Sequence, residues 1–150
     1  MRFLGKRFGY YPVKDLKVAA KCDEFVDYAN TYHVKFGKIL MMENLDEAAM
    51  AEWAELLQKF VDRVGTQLAK HNKYFICGFK PTIADFAIAG LIFSFVKMKT
   101  SFSEEFEEIT NDALSTNSFF KDYIDRLENE LMQFLVQRKN APLWNHPVTL

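Results

Sequence analysis

Few residues in this chain have types and spacings that could do chemistry. Thr82 followed three positions later by Asp85, in KPTIADF, has the spacing of a reciprocal cap. The Thr82 hydroxyl can accept from the amide of Asp85, while the Asp85 carboxylate reaches back to the amide of Thr82. Pro81, just before the cap, is placed to pack on Phe86 as a hydrophobic staple. This is structural chemistry: without Asp85 the first-turn amides of a buried helix would lose their partner. Asp23 and Asp27 stand one turn apart in CDEFVDYAN, and the simplest reading of them is the solvated face of an amphipathic helix. His33, His71 and His146 form no HxxxH and no Glu-x-x-His pair, which excludes a di-iron bundle and leaves no metal expected. Cys22 and Cys77 lack CxxC spacing. They read as reduced thiols buried as small hydrophobes.

The elements that must position these residues are helices. Six Gly and four Pro in 150 residues argue for long uninterrupted helices, and fifteen Phe for a core filled by aromatic rings. The length suits one domain with one substantial core. With 19 basic and 20 acidic residues, net charge −1, there is no electrostatic footprint for nucleic acid. The opening MRFLGKRFG has no apolar h-region. With unpaired cysteines, this points to the cytoplasm or another reducing intracellular compartment.

Residues 2–9 read as the last turns of a helix stopped by Gly9, and Tyr10, Tyr11 and Pro12 as a linker. From Val13 to Met42, apolar residues at three- and four-residue steps predict a long amphipathic helix, with Phe25, Tyr28, Tyr32, Phe36 and Ile39 in its stripe. A second long helix is predicted from about Leu45 to Asn72, antiparallel to the first because the turn between them is short. Phe86 to Val96 is apolar on nearly every face, as befits a helix at the centre of a bundle. It is too short to span a bilayer, which takes roughly 20 residues. Lys97 to Asn117 reads as a polar, acidic connection, with Glu104, Glu105, Glu107, Glu108 and Asp112 in solvent. Helical spacing returns over Ser118 to Arg138. Ala141 to Leu150, with Pro142 and Pro147, is expected to be a non-helical tail pinned to the bundle by Leu143 and Trp144.

The run YFICGFKPTIADF resembles the box that opens the buried core helix in the C-terminal, all-α domain of cytosolic glutathione transferases. The resemblance covers nearly the whole chain and is nearest to sigma-like members. RFLGKRFG is similar to the end of the family's thioredoxin-like half, and FKDYIDRLENE to its later helices. The family places two shorter helices in that later region. No Pro separates them here, so one continuous or kinked helix is equally compatible. The implied fold is an all-α bundle of about five helices over residues 13–140, preceded by a remnant of the other half in 1–12 and followed by the tail in 141–150.

The same resemblance sets the functional expectations. The family's thiol-activating Tyr, Ser or Cys lies in the thioredoxin-like half, and Tyr10 and Tyr11 in the linker cannot replace it. No catalytic residue is therefore expected in the chain as written, and glutathione is implied as a cofactor only if that half is present. Asp23 and Asp27 correspond to the region from which a family carboxylate reaches the α-amino group of glutathione on the neighbouring subunit, a task suited to a charge-assisted acceptor. Tyr28, Tyr32, His33 and Phe36 correspond to the wall of the hydrophobic-substrate site, although aromatic residues at this spacing usually pack a core or an interface. Two functions stay open: a non-catalytic structural or protein-interaction subunit in a homodimer or larger assembly, and the substrate-binding half of a sigma-like glutathione transferase. Neither nucleic acid nor a membrane span enters either one.

Overall fold

The computed structural model of the protein describes residues 1–70, 74–97 and 103–139. Within them the chain forms seven α-helices, and the last turns of the fourth widen into a π-helical segment. The all-α class holds, with two helices more than the five or so expected. The expected tail, with Leu143 and Trp144, lies outside the described residues, as do His71, Asn72 and His146.

Helix α1 (Arg2–Phe8) ends at Gly9, whose φ of 79° is the left-handed conformation that glycine adopts without a Cβ penalty. Helix α2 (Leu16–Leu40) starts three residues later than the apolar pattern suggested. Asp15 caps it, accepting from the amides of Lys17 at 2.9 Å and Val18 at 3.1 Å. Helix α3 (Glu47–Ala69) is capped by Asp46, which accepts from the Ala49 amide at 2.8 Å. The pairs Glu24 with Arg63, Tyr28 with Phe60 and Phe36 with Trp53 run in opposite senses along the two helices. They are antiparallel, as their short connection requires.

Helix α4 (Ile83–Leu91) continues into the π segment Ile92–Val96, which the Lys97 amide closes on the Ile92 carbonyl at 2.7 Å. Ile83, Ala84, Ile88, Ala89, Leu91, Ile92 and Val96 are all buried, which makes this the interior helix that its missing polar face demands.

The acidic stretch is not a plain connection. Glu104–Ser115 forms α5, opened by Ser103, whose hydroxyl accepts from the Phe106 amide at 3.3 Å. Glu104, Glu105 and Glu107 occupy its first turn, where negative charge complements the helix dipole. Its buried face is Phe106, Thr110 and Ala113, a stripe too thin to stand out among so many acids. Helix α6 (Ser118–Glu130) is capped by Asn117 and separated from α7 (Met132–Lys139) by Leu131 alone. Hydrogen bonds from Leu131 to Leu127 and from Leu135 to Leu131 carry through the break, so two helices form with no proline between them.

Aromatic rings join α2, α3, α5 and α6 in the core. Phe36 meets Trp53 at 4.7 Å between centroids, Trp53 meets Phe106 at 4.9 Å, and Phe60 meets Phe120 at 6.2 Å. Close approach of α3 to the start of α6 requires Gly65. A Cβ there would lie 2.4 Å from the Asn117 amide group that caps α6.

Candidate functional site

The Asp85 side chain accepts four hydrogen bonds. Thr82 and Asp85 form a capping box at the start of α4. The fully buried carboxylate accepts from the Thr82 amide at 2.7 Å and the Thr82 hydroxyl at 2.9 Å through Oδ2. Through Oδ1 it accepts from the Ile76 amide and the Tyr123 hydroxyl, both at 2.9 Å. One side chain thus ties together the 75–78 turn, α4 and α6. Burial pushes the Asp85 carboxyl up, and the four donors pull against that by favouring its charged form. Tyr123 is raised well above the ordinary phenol range, by burial first and then by the Asp85 charge. Phe86 sits at the rim, its ring edge-on to Tyr10 at 5.0 Å.

The 75–78 turn carries a second cluster. Phe75 and Gly78 pair as an isolated antiparallel bridge, with backbone bonds of 2.9 and 3.2 Å. Cys77 lies between them, half-buried, and Cys22 on α2 is fully buried. Hydrogen bonding toward Cys77, against the burial of the site, lowers the Cys22 thiol to about 7. The Cys77 thiol is raised, first by the same hydrogen bonding. Sequence spacing gave no sign of this pair, because α2 and the turn meet only in three dimensions.

The acids of α2 sit in different surroundings. Asp23 is engaged on both oxygens, by Arg2 Nε at 2.7 Å and by the Tyr11 hydroxyl at 3.0 Å, which ties α1 and the linker to α2. Partial burial would raise its carboxyl, but the Arg2 and Tyr11 bonds win and hold it below the usual carboxylate range. A carboxyl whose folded-state pKa is depressed stabilises the fold above its unfolded value and loses that contribution as pH falls through the folded value. Acidification below about pH 4 should therefore release α1 from α2 before the bundle unfolds. Amide hydrogen exchange in residues 2–8 would rise while that of α3 stays protected. Equal protection of both at pH 3 would contradict the tether.

Asp27 is exposed, one turn further along α2. Tyr32 and Phe36 are buried, Tyr28 is half-buried and stacks on Phe60 with centroids 5.5 Å apart, and His33 lies on the exposed side. Tyr28 donates to the Lys59 carbonyl at 3.3 Å, and burial, followed by its hydrogen bond with Tyr32, raises its hydroxyl. The four residues therefore do not line a single open wall: Tyr32 and Phe36 fill the α2–α3 interior and His33 faces away from it.

The open apolar surface lies elsewhere. Phe3, Leu4 and Phe8 on α1 are 74%, 56% and 63% exposed, with Tyr10 beside them. Leu4, Phe8 and Tyr10 border a depression of about 170 Å³ that Gly5, Ile83 and Phe86 also line. Gly5 is buried there because a Cβ would come within 2.6 Å of Ile83. A wider open groove of about 610 Å³ runs between α3 and α5, rimmed by Glu55, Lys59 and Asp112. Among the described residues, no group of three or more His, Cys, Asp or Glu is placed to hold a metal ion. No helix among them is long and apolar enough to cross a membrane.

An antiparallel α2–α3 pair, an interior helix opened by a buried Thr-x-x-Asp cap and an aromatic core define an all-helical domain of the glutathione transferase type. The family model for the glutathione S-transferase C-terminal domain matches residues 47–126, and the chain belongs to that family. No curated protein matches the chain. The match takes in α3, the turn, α4, α5 and most of α6, including Thr82, Asp85 and Phe86. Asp23, Asp27, Tyr28, Tyr32, His33 and Phe36 all lie outside it, on α2.

Proposed function

We propose that this glutathione-transferase-type helical domain is a non-catalytic protein-interaction module, docking a second copy of itself or another subunit through the α1 face. The observation that carries this reading is the cluster of exposed Leu4, Phe8 and Tyr10 beside the start of α4, with Phe3 also in solvent on α1. Contiguous exposed apolar surface of this kind is a common mark of an interaction site. The engagement of Asp23 by Arg2 and Tyr11 supports it, since a carboxylate already serving two donors is poorly placed to receive an ammonium group.

The chain as written is expected to show no heat of binding with glutathione and no conjugation of a model electrophile. Retention on immobilised glutathione with competitive elution would contradict the proposal.

A second reading, the substrate-binding half of a glutathione transferase, draws on the same face. An α1 helix seated on Ile83 through Gly5 could equally be covered by a thioredoxin-like partner half. Conjugating activity recovered when such a half is supplied would favour that reading.

A further inference from the structure

We propose that the open groove between α3 and α5 receives the α1 end of a second copy of this chain, so that copies associate head to tail. This rests on the α1 face being a docking surface, as proposed above, and names the surface it docks on. Charge decides the pairing. Arg2, Lys6, Arg7, Lys14 and Lys17 fall near the start of the chain, where Asp15 is the only acid before Asp23. Arg2 is paired with Asp23, and Asp15 is engaged as the cap of α2. Lys6 and Arg7 are exposed beside Phe3 and Phe8 and form no ion pair among the described residues. Two α1 faces brought together would set cation against cation, which opposes association. The complement of this face is an apolar surface with an acidic border.

The α3–α5 groove has that character. Ala54, Ile109 and Ala113 give it an apolar lining. On the α5 side Asp112 lines it and Glu108 stands one turn earlier, both exposed and without an ion pair among the described residues. On the α3 side Glu55 is already paired with Lys59, so the unneutralised charge lies along α5. Gln58 donates to Thr116 at 3.0 Å, which ties α3 to the end of α5 and fixes the width of the groove there. The chain's own α1 is not the occupant. It is held to α2 by the Arg2–Asp23 bond and seated on α4 where Gly5 meets Ile83. The contact is heterologous: each copy offers one α1 and one groove, and copies extend into a chain or close into a ring.

Sedimentation velocity at micromolar concentration tests this with the wild type and two variants altered only at exposed residues. Glu108→Lys/Asp112→Lys spoils the groove, and Phe3→Ser/Phe8→Ser spoils α1. The wild type should self-associate, and each variant alone should need at least about tenfold more protein to do so. An equimolar mixture of the variants should form a one-to-one dimer, because the first keeps an intact α1 and the second an intact groove. Carbodiimide coupling of isotopically labelled with unlabelled wild type should join Lys6 to Glu108 or Asp112 between chains, a result independent of whether either variant folds. A groove variant that associates like the wild type, a mixture that stays monomeric, or links only to Asp15 and Asp23 of the second copy would each overturn the head-to-tail contact while leaving α1 a docking surface. A monomeric wild type overturns it as well, and the interaction-module reading then survives only if that monomer binds a hydrophobic dye at α1.

Discussion

Asp85→Ala should destabilise the domain by at least about 3 kcal/mol, since roughly 1–3 kcal/mol is lost for each buried donor left unsatisfied. The alanine strands the amides of Ile76 and Thr82 and the hydroxyl of Tyr123, all in buried residues. The loss is shared by three elements, so α4, the 75–78 turn and α6 should loosen together. Tyr123→Phe removes one of the four bonds and leaves Asp85 three donors, which should cost about 1 kcal/mol. Thermal and denaturant unfolding of the two variants would check both size and order. An Asp85→Ala protein melting with the wild type would contradict the assigned role.

Trp53→Ala should cost about 3–5 kcal/mol, the range for removing a large buried aromatic side chain. Trp53 is fully buried between Phe36 of α2 and Phe106 of α5, and its indole N–H donates to Thr110 Oγ1 at 2.9 Å. Thr110 in turn donates to the Phe106 carbonyl at 2.8 Å. The alanine variant should therefore lose the docking of α5 along with the core volume. Trp53→Phe keeps most of the ring contacts and gives up one hydrogen bond, a loss of about 1 kcal/mol. Urea unfolding should place the alanine variant's midpoint far below that of the phenylalanine variant, and indistinguishable midpoints would contradict this account of the core.

The parts of the fold written in local spacing were legible in the sequence. The Thr82-x-x-Asp85 box, the stripe through Phe25, Phe36 and Ile39, and the stop at Gly9 each depend on neighbours within a turn or two. Helix α5 was not legible, because its buried face rests on three residues, one of them a threonine, while its acids dominate the composition. The break at Leu131 was left open for a related reason: no proline or glycine marks it.

Long-range partners stayed hidden altogether. Nothing in ADF indicates that Asp85 also receives Ile76 and Tyr123, and nothing around Cys22 indicates Cys77. Asp23 and Asp27 share a helix face in the sequence, yet Arg2 and Tyr11 come to Asp23 from a separate helix and the linker. Such pairings come from tertiary packing, to which periodicity is blind.

The most direct test of the interaction-module reading is sedimentation equilibrium of the chain at micromolar concentration, beside a Phe3→Ser/Phe8→Ser double variant. The account predicts that the wild type self-associates, or remains monomeric only while binding a hydrophobic dye at its open face, and that the double variant does neither. A wild-type monomer that binds no hydrophobic dye would mean the α1 face is no docking surface, and the reading would fail.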